Sequence, residues 1–197
     1  MGTSYEGKGL EAMSFAGNYH QWILDQFKPF LGNYVLEVGA GRGSFSLALL
    51  KSEEISKLIA IGPSKEMYPM LEKRLMEDRR VILHQALFAD TYKKYCGYFD
   101  SVIYVNVLEH IKNDAQELTY IRESLKEGGR VCIFVPALPW LYSKFDASVG
   151  HYRRYTKKQL GQLLEQNGFK IEKISYFDMV GIIPWFIFFK LLGGKLE

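Results

Sequence analysis

VLEVGAGRGSFS, residues Val35 to Ser46, decides the fold. Val35, Leu36, Glu37 and Val38 read as a short buried strand. Gly39, Ala40, Gly41, Arg42 and Gly43 form a glycine-rich turn. Ser44 opens an apolar-periodic run through Phe45, Leu47, Ala48, Leu49 and Leu50, which reads as a helix. Glycines let backbone approach a ligand closely, and the unpaired N–H groups of a helix start favour negative charge. The segment therefore reads either as a nucleotide-type site or as a plain strand-to-helix turn. A dinucleotide-binding fingerprint wants G-x-G-x-x-G. Here the third glycine comes one residue early, with Ser44 following it, and this disfavours a nicotinamide oxidoreductase.

The rest of the chain narrows the choice. At 197 residues it suits one domain spanning 1–197, with room for a substantial core. Hydrophobic residues at 48% and charged residues at 24% are ordinary for a globular protein. A net charge of +3 is too mild to argue for nucleic acid. Cys96 and Cys132 form no C-x-x-C pair, so the default expectation is a reducing, cytoplasmic setting. No H-E-x-x-H motif and no run of clustered Cys/His ligands points to a metal. No leader pattern is visible at the start. The longest apolar stretch, Val180 to Phe189, is shorter than the roughly 20 residues a membrane span needs.

Strand and helix patterns alternate along the chain. Residues 1–13 are polar and glycine-bearing, and are expected to be poorly ordered. From Ser14 to Leu31, Tyr19, Trp22, Ile23, Gln26, Phe27 and Phe30 share one helical face. Lys57 to Ile61 reads as a second strand, Lys65 to Leu75 as a helix, and Val81 to His84 as a third strand. Phe99 to Val105 is a fourth strand, Asp114 to Lys126 a helix, and Arg130 to Val135 a fifth strand. Pro136 to Tyr155 is a long aromatic connection, placed where a substrate loop belongs. Thr156 caps a helix over Lys157 to Gln166, and Phe169 to Phe177 alternates as a sixth strand. The tail 178–197 is apolar and must bury its face on its own sheet, on a second copy, on a lipid surface or over a greasy substrate. Such alternation implies an α/β, doubly wound, mostly parallel sheet.

Three segments, in order, resemble the class I S-adenosylmethionine-dependent methyltransferases. Glu37-x-Gly39-x-Gly41-x-Gly43 is similar to their first motif, Phe99-Asp100 followed by V-L-E-H-I (Val107 to Ile111) to a later one. Gly150 to Thr156, GHYRRYT, is similar to a bacterial subgroup called type 11 or type 12. The resemblance implies a Rossmann-like methyltransferase fold and S-adenosylmethionine as cofactor, with S-adenosylhomocysteine as product. It implies methyl transfer to a small-molecule or lipid-linked acceptor. No convincing seventh strand follows in the sequence.

By the same resemblance, Glu37 would orient the methionine amino end, and Gly39, Ala40, Gly41 and Gly43 would admit it closely. Gly62, Pro63 and Ser64 would border the ribose, with Met67 nearby, and Gln85 with Ala86 would border the adenine. Asn106 and Val107 would stand at the strand end where ligands bind. Tyr19 would reach the cofactor from a helix acting as a lid or as an edge cover. His110 and His151 are the catalytic candidates. His151, Arg153 and Arg154 could hold an anionic or hydroxyl-bearing substrate, with at most one of the adjacent arginines facing the pocket; surface or structural ion pairing is the alternative reading of the arginines. Asp100 reads as structural. Gly62 departs from the family, which usually carries a ribose-binding carboxylate there, and Gln85 lacks the usual charge. A lost charge-assisted bond is worth about 1.5–3 kcal/mol, roughly ten- to a hundredfold in affinity. A non-catalytic binding protein that kept the fold is therefore the alternative expectation. Membrane-surface contact through the tail and oligomer formation stay open.

Overall fold

A computed structural model describes residues 17–177. The expectations for 1–13 and for the tail 178–197 lie outside the described residues. Five parallel strands stand in the order β3-β2-β1-β4-β5: β1 Tyr34–Val38, β2 Lys57–Ile61, β3 Val81–His84, β4 Phe99–Val105 and β5 Leu125–Phe134. The chain winds outward from β1 to β3, then returns to the other side of β1 with β4. The crevice between the ends of β1 and β4 is thus the switch point of the sheet, where such folds bind ligands.

The strands are near-continuous apolar runs because both faces are covered. On one face Leu36, Val38, Ile59, Val102 and Tyr104 pack against Leu118 and Ile121 of α5 (Asp114–Ser124) and Leu160 and Leu164 of α7 (Lys157–Gln166). On the other, Val35, Leu58 and Ile103 meet Ile23, Leu24 and Phe27 of α1 (Gly17–Phe27) and Phe45 and Leu49 of α2 (Ser44–Leu49). Leu71 and Leu75 of α3 (Tyr68–Leu75) close the same side over Ala60. α4 (Phe88–Thr91) and α6 (Lys144–Ser148) are single turns. The doubly wound α/β class is as expected, and α1 is a sheet-covering helix whose Ile23 and Leu24 are core.

Local rules explain most boundaries. Thr156 caps α7 in a reciprocal box with Gln159, and Asn113 caps α5 through the Gln116 N–H. Asp100 accepts from the Tyr34 N–H at 2.8 Å and pairs with Lys126, a structural role. α5 ends at Ser124 and β5 starts at Leu125, earlier than the expected helix end at Lys126 and strand start at Arg130. Two further expectations need correction. α3 begins at Tyr68, three residues late, because Pro69 has no N–H to return to the Lys65 carbonyl and fits only in a first turn. Ser64 instead accepts from the Met67 N–H in the turn before it. The second correction is larger: Phe169 to Phe177 forms no strand. Its contacts with the sheet are made by side chains. Ile171 and Ile174 pack on one core, Phe177 packs edge-on to Phe134, and Glu172 pairs with Arg130 of β5. Alternation alone marked two buried sides without requiring a hydrogen-bonded ladder.

Leu36 is fully buried in the central strand, whereas Leu47 on α2 is 41% exposed. Leu36→Ala is expected to lower stability by about 2–5 kcal/mol in urea unfolding, and Leu47→Ala by less than about 0.5 kcal/mol.

Candidate functional site

The glycine turn is built by steric necessity. Gly39, Gly41 and Gly43 hold φ of 74°, 55° and 83°, a region that L-residues with a Cβ rarely adopt. A Cβ on Gly39 would sit 2.3 Å from a Val107 methyl, and one on Gly43 would sit 2.9 Å from Leu71. The turn after β1 is therefore pressed against the segment that follows β4. The Gly39 and Ala40 N–H groups both donate to the Ile61 carbonyl, at 2.7 and 3.0 Å, and tie the turn to the end of β2. Gly62 is buried there, yet a Cβ at that position would meet nothing closer than 3.8 Å. Met67 is buried, with its thioether beside Gly41.

Glu37 lies beneath this turn, 3% exposed, and accepts a 2.5 Å hydrogen bond from Ser46 of α2. Burial pushes its carboxyl up to about 7, with the Ser46 hydroxyl opposing the shift. A buried acid with one neutral partner is suited to receive a cationic group. Ser46 escaped the sequence reading, although its place one turn into α2 was the available signal.

The groups that follow β2 and β3 are less committed. Pro63 is exposed and Ser64 half-buried; Gln85 is exposed and Ala86 half-buried after β3. Asn106 takes a positive φ of 53° at the end of β4, and its N–H donates to Phe134 at 2.8 Å. Asparagine is among the few residues that tolerate this conformation, and strained backbone clusters at functional sites.

A cavity of about 810 Å³ opens beside Asn106. Tyr19, Glu109, His110, Leu138, Phe145 and His151 are in its lining, together with residues of β5 and of 168–177. The glycine turn is not part of its lining. Turn and cavity are neighbouring spaces that meet at Asn106 and Val107. Tyr19 packs edge-on to Phe134 at 5.9 Å and so joins α1 to the cavity wall.

The 136–155 connection is folded back onto the sheet rather than loose. Ala137 and Tyr155 form an isolated parallel bridge, and the Leu138 N–H donates to Tyr155. Its anchor is Asp146, fully buried. Asp146 accepts from the Ser143 N–H and hydroxyl, from His151 Nδ1 at 2.9 Å, and from Arg154 through Nε and a terminal nitrogen at 2.8 and 3.0 Å. Burial opposes the charge, but the bonds from His151 and Arg154 hold the carboxyl down at about 2. Arg154 is thus buried in this ion pair, and Arg153 pairs with Asp114. Both arginines thus make structural ion pairs, and Arg154 also borders the cavity.

His110 and His151, far apart in sequence, lie ring to ring with centroids 4.6 Å apart. Burial, reinforced by His151, pushes His110 down to about 4, so it is neutral at pH 7. Fully buried Glu109 stands beside both, its Oε1 3.8 Å from His151 Nε2, and burial pushes its carboxyl up to about 8. Sequence reading took Glu109 only as part of V-L-E-H-I. Nothing in the sequence brought His151 back to it, because the loop that does so is organised by Asp146.

The methyltransferase domain family matches residues 15–174. The chain belongs to that family. It carries the class I S-adenosylmethionine-dependent methyltransferase fold. A Bacillus subtilis protein, the uncharacterized methyltransferase YdaC, is 29% identical over 114 residues; these are 58% of this chain and 62% of that protein, less than two thirds of its length. An Archaeoglobus fulgidus SAM-dependent methyltransferase superposes with a TM-score of 0.68 at 22% identity, over 83% of this chain and 73% of that one. Haemonchus contortus phospholethanolamine N-methyltransferase 2, solved with phosphomonomethylethanolamine and S-adenosylhomocysteine, superposes with a TM-score of 0.65 at 21% identity, over 77% and 37%. Such identities speak for the fold alone. Among the described residues no helix is long and apolar enough to cross a membrane.

Two predictions follow from the buried acids. Folded Glu37 keeps its proton up to about pH 7, against an ordinary value of 4.5. Its favourable contribution is full below 4.5 and is lost as the pH rises through 7. Glu37→Gln should therefore raise the melting temperature at pH 8, by on the order of 2–3 kcal/mol in stability, with the gap closing toward pH 5. Melting curves of both proteins across that range check this. Asp146→Ala leaves Arg154 buried without its carboxylate and should cost about 3–5 kcal/mol in urea unfolding.

Proposed function

We propose that this chain transfers a methyl group from S-adenosylmethionine to a small-molecule or lipid-linked acceptor. The observation that carries the reading is Glu37: a buried, poorly compensated carboxylate under a turn of three left-handed glycines, at the switch point of the sheet. An acid left in that state receives its charge partner from a ligand. The cofactor, when bound, supplies an electrophilic methyl on a sulfonium. Glu37 would take the amino end, and Gly39, Ala40, Gly41 and Gly43 would let it approach. Gly62, Pro63 and Ser64 would border the ribose, with Met67 filling the space beside Gly41, and Gln85 with Ala86 the adenine.

The acceptor would enter the cavity beside Asn106, whose volume suits a drug-sized molecule. Leu138, Leu141 and Phe145 give it an apolar wall, and His110 and His151 give it polar groups. Tyr19 and Val107 would keep water from the reacting end. Positioning is the main requirement of such a transfer. The GHYRRYT stretch supports placement in the type 11 or type 12 subgroup. A second reading, a non-catalytic binder, draws on Gly62, which offers no carboxylate. The open space at Gly62 means that this loss is not enforced by packing.

Calorimetric titration of S-adenosylhomocysteine tests the reading. The unmodified chain should bind in the micromolar range. Gly62→Asp should bind about tenfold tighter or more, and Glu37→Gln about ten- to a hundredfold weaker. Absence of binding by all three proteins would remove the methyl-transfer reading and leave the non-catalytic one.

A further inference from the structure

We propose that Glu109, His110 and His151 form a binding site for one divalent transition-metal ion of the zinc or manganese class, at the head of the cavity. One ligand atom from each residue lies within 4.8 Å of the other two. Donor atoms around a single ion bound at about 2.0–2.2 Å stand roughly 3–4 Å apart, so small side-chain rotations complete the set.

The decisive observation is Glu109. It is 0% exposed, and neither of its carboxylate oxygens has a hydrogen-bond partner on another residue; its own backbone N–H and the more distant Arg154 charge are what ease its burial. Facing it is His151, whose Nε2 stands 3.8 Å from Glu109 Oε1, too far for a hydrogen bond. The other ring nitrogen of His151, Nδ1, donates to Asp146 at 2.9 Å. A carboxylate can only accept, so Nδ1 carries a proton, and in the neutral tautomer Nε2 turns its lone pair to Glu109. The Glu109 carboxyl and His151 Nε2 thus face each other across a 3.8 Å gap at the cavity wall, which a metal ion between them would fill. His110 Nδ1 is likewise set against an oxygen, the Gly150 carbonyl at 3.3 Å, which orients its ring in the group.

This is how proteins build ion sites: each ligating imidazole gives its second N–H to an oxygen that fixes the ring. Asp146 is itself locked by Arg154 and the Ser143 cap, so it orients His151 and does not compete as a ligand. Two imidazoles and one carboxylate favour zinc, manganese and their neighbours over calcium or magnesium. Three protein ligands leave a position open, and all three residues line the cavity. An acceptor carrying oxygen donors would bind there. That consequence rests on the methyl-transfer reading, whereas the ion site does not.

The test uses the full chain without a histidine tag, stripped with a chelator. ZnCl2 and MnCl2 are titrated separately by calorimetry, and CoCl2 is followed by visible absorption. The expected result is one ion per chain, visible bands from bound cobalt, and at least a roughly tenfold loss of affinity in Glu109→Gln and in His110→Ala. Glu109→Gln in chelator should melt no lower than the unmodified chain, which shows that the variant is folded. Absence of a one-to-one ion, or affinity unchanged in Glu109→Gln, overturns the proposal; a proton shared by His151 and Glu109 is then the cation. S-adenosylhomocysteine is titrated into the same stripped protein. Binding of that compound without any ion removes the ion site alone. Ion binding without that compound removes the methyl-transfer reading alone.

Discussion

The contact between Gly39 and Val107 is the constraint on which the arrangement depends. Any side chain at position 39 would overlap a Val107 methyl, and the backbone there is left-handed besides. The turn after β1 can therefore lie directly against the segment after β4. Because β1 and β4 are adjacent but far apart in the chain, this contact joins the two halves of the sheet at their carboxyl ends. Glu37 falls on one side of it, and Asn106 with the Glu109–His110 pair on the other. One steric fact thus sets two chemically different spaces side by side.

Each space carries a buried acid that the fold leaves under-compensated. Glu37 has a serine hydroxyl and Glu109 has no hydrogen-bond partner on another residue for its carboxyl, while Asp146, in the 136–155 connection, is saturated by Ser143, His151 and Arg154. The contrast separates structural from functional burial. A charge that only stabilises is surrounded by donors. A charge kept waiting costs stability and is retained where a ligand completes it. The Asp146 cluster has a further consequence. By tying the 136–155 connection down, it returns His151 to the residues after β4 and makes the loop part of the cavity wall.

The strands and their order of occurrence were legible because parallel strands buried on both faces leave continuous apolar runs such as KLIAI and FDSVIYV. The glycine turn was legible because 39, 41 and 43 tolerate no other residue type without strain. Capping gave the bounds of α7. The start of α3 was misread because Pro63 and Ser64 look like a start, whereas Pro69 sets the true one. The segment 169–177 was misread because its alternation records two packed sides and not a ladder. The Glu109–His110–His151 grouping was invisible for a different reason: it depends on loop closure by Asp146 and Arg154, and no spacing rule in the sequence encodes a contact made that way.

The most direct measurement is a crystal structure with S-adenosylhomocysteine. The account predicts the ligand across the carboxyl ends of β1 and β2, its amino group on the Glu37 side of the glycine turn and its sulfur toward Asn106. A ligand lodged along β5 in the 810 Å³ cavity instead, with the glycine turn untouched, would contradict it.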